Sequence, residues 1–139
     1  MVESEVFLSL KFLRNLGMPV DTFAYPYGEY DERVVGTVKR AGFVGARSVA
    51  RGFNDQTTDT FLLQCQAVKV KTSVSEVISW VDTARREGKW LILMFHQIDV
   101  EGREWSARPE TLAQIVEYLQ RHHVRTITVR EGLRDLMTD

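Results

Sequence analysis

The chain has 139 residues, 44% hydrophobic and 27% charged, which suits one domain with its own core and excludes a disordered or fibrous chain. Eighteen basic residues face nineteen acidic ones, and a formal charge of −1 without any run of like charge offers nothing to a nucleic-acid backbone. The single cysteine excludes an intramolecular disulfide but leaves the compartment open. Glu3 and Glu5 stand where a signal peptide would be basic, and the longest apolar run is too short for a bilayer, so a soluble chain with no membrane partner is expected.

Residues Glu3 to Leu16 place Val6, Phe7, Leu10, Leu13 and Leu16 at helical spacing, and Gly17 followed by Pro19 stops the helix. Val20 to Tyr25 reads as a buried strand. Asp31 is the N-cap of a second helix with Val34, Val35 and Val38 on one face, ending at Gly42. Phe43 to Val49 is the next strand, and the polar stretch from Arg51 to Thr60 reads as a surface loop, either shaping a cleft or simply connecting. Gln66 to Lys71 alternates as a partly exposed strand would. Ser73 to Glu76 forms a capping box ahead of a helix buried along Val74, Val77, Ile78, Val81 and Ala84 and stopped by Gly88. Trp90 to Phe95 is apolar on both faces and is expected at the centre of the sheet. Pro109 opens a helix carrying Leu112, Ile115, Val116 and Leu119, and a strand at Val124 to Val129 and a short terminal helix complete the chain. Alternation of this kind predicts an α/β fold with a parallel sheet, either doubly wound or part of a (β/α) barrel.

Two short stretches carry the polar groups in which chemistry would reside, because α/β folds place it just past the ends of buried strands. Phe23-Ala24-Tyr25-Pro26-Tyr27-Gly28 ends one strand and precedes a helix; the backbone N–H groups of Tyr27 and Gly28 are placed to stabilise an oxyanion. His96-Gln97-Ile98-Asp99 ends the other. His96 is positioned for general acid or base work with Asp99 as an orienting partner, or else is a strand-end histidine held by a carbonyl, with Asp99 capping the next turn. Trp105 either stacks on a sugar ring or packs on its own domain. His122 and His123 fall at a helix end, where the dipole favours them, and no metal-ligand spacing is visible.

On these residues the chain resembles the C-terminal part of the polysaccharide deacetylase family, the NodB-like carbohydrate esterases with a distorted (β/α) barrel. The resemblance covers nearly the whole chain as a single domain, 1–139. It rests on Phe23 to Gly28, on Ala41-Gly42-Phe43 with Ala46-Arg47, on Leu91 to His96 and on Thr126 to Glu131. It implies that Tyr27 supplies an oxyanion N–H, that His96 is the general acid to the leaving group, that Met94 helps form the acetyl-methyl pocket, and that Pro26, Tyr25 and Trp105 contact the glycan. The implied reaction is hydrolysis of N- or O-acetyl groups on a polysaccharide or oligosaccharide, by water bound to a divalent metal such as zinc.

The family's paired aspartates and His-x-x-x-His segment do not occur here, so no metal site or cofactor is expected within this chain and, alone, it is expected to be inactive. Many members carry arginine where Ala24 stands. A barrel without its early strands would have open sheet edges, which leads to a homo-oligomer as the expected state. A non-catalytic carbohydrate-binding or scaffold protein is the alternative.

Overall fold

The computed structural model describes residues 2–138 and is α/β, with parallel strands alternating with helices as in part of a distorted (β/α) barrel. The elements are α1 (Val2–Asn15), β1 (Thr22–Ala24), α2 (Glu32–Ala41), β2 (Gly45–Arg51), β3 (Leu63–Val68), α3 (Val74–Glu87), β4 (Leu93–Phe95), β5 (Gln97–Ile98), β6 (Ser106–Ala107), α4 (Pro109–Arg121) and α5 (Val129–Met137). The first four strands form one sheet in the order β1-β2-β3-β4, and β5 and β6 make a separate parallel pair. Thr22, Phe23 and Ala24 lie opposite Gly45, Ala46 and Arg47, while Gln66, Ala67 and Val68 lie opposite Leu93, Met94 and Phe95. Among the described residues no helix is long and apolar enough to cross a membrane.

The chain divides into two compact units: residues 1–50, 56–64 and 129–139, and residues 51–55 and 65–128. In the first, Val6 and Leu10 of α1 pack with Tyr25, Val38, Phe43 and Ala46, all buried. The helices begin and end where side-chain chemistry dictates. Asp31 accepts the Val34 N–H at 2.7 Å to cap α2, and Gly42 takes the left-handed conformation (φ 94°) that closes it. The terminal helix α5 joins this unit through Leu133, which is 1% exposed, and through the Arg130–Asp21 ion pair at 2.6 Å. In the second unit Val68, Val77, Ala107 and Ile115 form the core, flanked by Trp80, Leu93 and Phe95. Ser73 accepts the Glu76 N–H at 3.1 Å to cap α3, as the capping box predicts. The only cysteine, Cys65 on β3, is buried and in no disulfide.

Three strand expectations need correction. Val124 to Thr128 forms no strand: its two half-buried residues, Val124 and Ile127, are three apart, a spacing that lines neither face of a pleated ribbon. Trp90 to Phe95 is not the sheet's centre. Trp90 exchanges backbone hydrogen bonds with Asn54 at 2.8 and 2.9 Å, which leaves only Leu93–Phe95 as β4 at the end of the strand order. Its apolar character reflects the packing of Leu93 and Phe95 into the second unit's core rather than strands on both sides. The expected strand at Gln66 to Lys71 lies earlier and deeper, at Leu63–Val68, with Leu63, Cys65, Gln66 and Val68 buried. The polar Gln66 is buried at no cost in unmet hydrogen bonding because its Oε1 accepts from Arg51 Nε at 2.9 Å.

Candidate active site

Past β1 the chain stays in register for one more residue, the Tyr25 N–H donating to the Arg47 carbonyl at 3.2 Å, and then turns. Pro26 opens a single 3₁₀ turn, Pro26–Gly28, closed by Gly28 N–H to the Tyr25 carbonyl at 2.9 Å and by Glu29 N–H to the Pro26 carbonyl at 3.1 Å. Within it Tyr27 is held at φ 56°, ψ 5°, a left-handed conformation that costs a residue bearing a Cβ roughly 1–2 kcal/mol. Its side chain gains no packing in return, being 97% exposed. Its N–H meets no acceptor among the described residues. Of the two oxyanion donors expected, Gly28 is therefore occupied by the Tyr25 carbonyl and Tyr27 is open.

The residues on either side of Tyr27 differ sharply. Pro26 is exposed. Tyr25, expected to touch the glycan, is instead 2% exposed in the core of the first unit. Its ring meets Phe23 edge-on at 5.5 Å and lies 5.0 Å from Tyr30, and its hydroxyl donates to the Phe61 carbonyl at 3.0 Å. It underpins the turn from within. Burial, with the Asp59 carboxylate second and Tyr30 third, pushes the Tyr25 phenol up to about 12. Since the unfolded phenol ionises near 10.0, the neutral buried form adds stability that is complete below that pH and is lost as pH rises toward about 12. Tyr25→Phe leaves the Phe61 carbonyl unmet and is expected to cost about 1–2 kcal/mol at neutral pH. Urea titrations of both proteins should show this gap closing between pH 10.0 and about 12; a gap constant across that window would refute the assignment.

In the second unit His96 follows β4 at a bend and is exposed. Its ring meets Trp105 edge-on with centroids 4.7 Å apart. The 99–105 loop returns Trp105 there because its base is pinned: β5 and β6 pair Gln97 with Ser106 and Ile98 with Ala107, Gln97 Nε2 donates to Ser106 Oγ at 3.2 Å, and the Asp99 N–H donates to the Ala107 carbonyl at 3.1 Å. Asp99 is not the orienting partner of His96. Its Oδ1 accepts the Glu101 N–H at 3.0 Å, so it caps the turn, the alternative allowed from sequence. Met94 is half-buried in the middle of β4, opposite Ala67.

Two residues that the sequence did not single out join this group. Lys69, just past β3, places Nζ 3.4 Å from the Trp105 ring centroid and 3.8 Å from Glu104 Oε1. The Val70 N–H also donates to the Glu104 carbonyl at 3.3 Å, tying the loop to the end of β3. Nothing in the sequence links Lys69 to Trp105, because only the fold of the loop brings them together. One face of the 42% exposed indole is thus already occupied by a cation.

His122, at the end of α4, stacks on Tyr118 at 4.2 Å, in keeping with a helix-end role. The divalent metal implied by the resemblance finds no ligand set here. Among the described residues no three His, Cys, Asp or Glu side chains converge, and of the groups gathered with His96 the indole and the ammonium offer a cation no lone pair while the Glu104 carboxylate faces Lys69. No protein-family model matches the chain, and no curated protein or solved structure is significantly similar to it.

Proposed function

We propose that this chain is the later portion of a polysaccharide deacetylase-like hydrolase, acting on N- or O-acetyl groups of a sugar polymer when complete and releasing no acetate by itself. The observation that carries the reading is Tyr27. A non-glycine residue held in the left-handed region, with an exposed side chain and an unpaired N–H, is strain that local packing does not repay, and such strain collects at functional turns. In this reading the Tyr27 N–H receives the negative oxygen of the tetrahedral intermediate. His96 gives its proton to the departing sugar nitrogen or oxygen as the carbon–heteroatom bond breaks, leaving acetate and a neutral imidazole. Trp105, edge-on to His96, supports the ring and offers apolar surface to a pyranose. The metal chemistry would reside in residues this chain does not contribute.

The test begins with the source DNA, read in frame upstream of Met1. An Asp-Asp strand and a His-x-x-x-His segment in frame support the reading, and the extended product should release acetate from an N-acetylated oligosaccharide only with added divalent metal. His96→Gln in that product is expected to lower kcat by about 100-fold or more with little change in KM. A stop codon with neither motif overturns it.

That second outcome favours a non-catalytic carbohydrate-binding protein, a reading supported by the exposure of both Tyr27 and Trp105. It predicts saturable oligosaccharide binding to the 139-residue chain by calorimetry, about ten-fold weaker in Trp105→Ala. An unchanged affinity in that variant would remove Trp105 from any glycan site.

A further inference from the structure

We infer that the outer face of α1 is a homodimer interface, on which two copies of this chain pack their first helices antiparallel about a twofold axis. This does not depend on the glycan reading. α1 has two apolar faces where an ordinary surface helix has one. Val6 and Leu10 point into the core, whereas Phe7, Leu8 and Phe12 are 39%, 64% and 64% exposed, and Leu16 and Met18 just beyond the helix end are 57% and 47% exposed.

Side-chain sizes put this patch on the order of 500 Å² per copy, so a symmetric pair would cover about 1,000 Å², the lower bound for a specific interface. Exposed as it stands, it lies at the upper end of what soluble monomers carry. The occupant is identified by charge. Glu3 is held by Arg40 at 2.9 Å and Arg14 Nε donates to the Val20 carbonyl at 3.1 Å, which leaves exposed Glu5 near the start of the helix and exposed Lys11 toward its end. A second α1 laid antiparallel therefore brings each basic end against the other's acidic end, while a parallel one sets like charges side by side. In an antiparallel pair centred near Leu8 the two mostly exposed Leu8 side chains meet at the twofold axis. The same register brings Lys11 toward the second copy's Glu5. A twofold interface must be complementary to itself, and this helix is.

The experiment is light scattering and sedimentation of the 139-residue chain across a dilution series, alongside Phe12→Glu and Leu8→Glu. The expected mass is twice the 16.0 kDa protomer, dissociating on dilution through the micromolar range. Both variants are expected to be monomeric with unchanged far-UV circular dichroism, since both side chains are mostly exposed. Raising NaCl to roughly 0.5 M should weaken the dimer several-fold through its end-to-end charge pairing. A monomer at about 100 µM overturns the proposal. So does a dimer that persists in Phe12→Glu, or one strengthened by salt, which would have another interface or the opposite helix orientation.

Discussion

Gly28→Ala is expected to lose about 3 kcal/mol of stability, through two separable causes. Gly28 sits at φ 75°, where a Cβ costs roughly 1–2 kcal/mol. That Cβ would also fall 2.2, 2.7 and 3.0 Å from Cγ2, Cγ1 and Cβ of Val49 on β2. Rotating the valine cannot clear all three atoms, and overpacking of this kind costs roughly 1–3 kcal/mol. In the double variant Gly28→Ala/Val49→Ala the steric part should be recovered and the conformational part retained, so that about half the loss returns. The measurement is the urea midpoint at constant slope. A single-variant loss under about 1 kcal/mol would mean that the turn is free to relax away from β2. The neighbouring Tyr27→Gly works in the opposite sense. It removes left-handed strain from a side chain that packs on nothing, so stability should stay within about 1 kcal/mol of the parent while the exposed ring is lost. Together the two variants separate what the turn needs for folding from what it offers to a ligand.

Gly45→Ala is expected to cost about 2–3 kcal/mol for a different reason, since no unusual backbone angle is involved. A Cβ there would meet Cδ1 and Cδ2 of Leu133 at 2.6 and 2.8 Å and the Thr60 carbonyl oxygen at 2.8 Å. Leu133 is 1% exposed, which leaves it no room to swing aside, and the Thr60 carbonyl already accepts the Ala46 N–H at 2.9 Å. The damage should concentrate where α5 meets β2. Amide exchange in Gly45→Ala should therefore show α5 deprotected well beyond the global loss. Protection falling uniformly across the first unit would show instead that α5 adds no local cooperative contact.

Both glycines show how far the sequence can be read. Caps and stops were legible: Asp31, Gly42, Ser73 and Gly88 each do what their chemistry prescribes at the helix ends. Strand position was less so. A run such as Trp90 to Phe95 reports burial but does not say what covers it, and the Asn54–Trp90 bridge that shortens it lies between residues distant in the chain. Gln66 was hidden for a similar reason, because only the fold brings Arg51 to its amide.

Among the candidate residues, the sequence located the Tyr27 turn in the first unit and the strand-end His96 in the second, but not the surroundings of either. Tyr25 and Tyr27 are chemically alike and two residues apart, yet one is in the core and the other in solvent. What separates them is the single 3₁₀ turn with its left-handed residue, which reverses the direction of the side chain within one peptide. The proximity of Lys69 to Trp105 depends on how the 99–105 loop closes, which no local pattern records.

The segmentation of the first unit bears on how the protein is made. Its residues come from 1–50, 56–64 and 129–139, whereas the second unit is supplied almost entirely by 65–128. A ribosome releases these segments in order, so the second unit can condense while the first still lacks its closing helix, with the groove above Gly45 empty of Leu133. A nascent chain stalled before Val129 would hold an unfinished first unit beside a finished second one. Translation of α5 thus decides when Leu133 covers Gly45, whereas the cluster of Val6, Leu10, Tyr25, Val38, Phe43 and Ala46 can close without it.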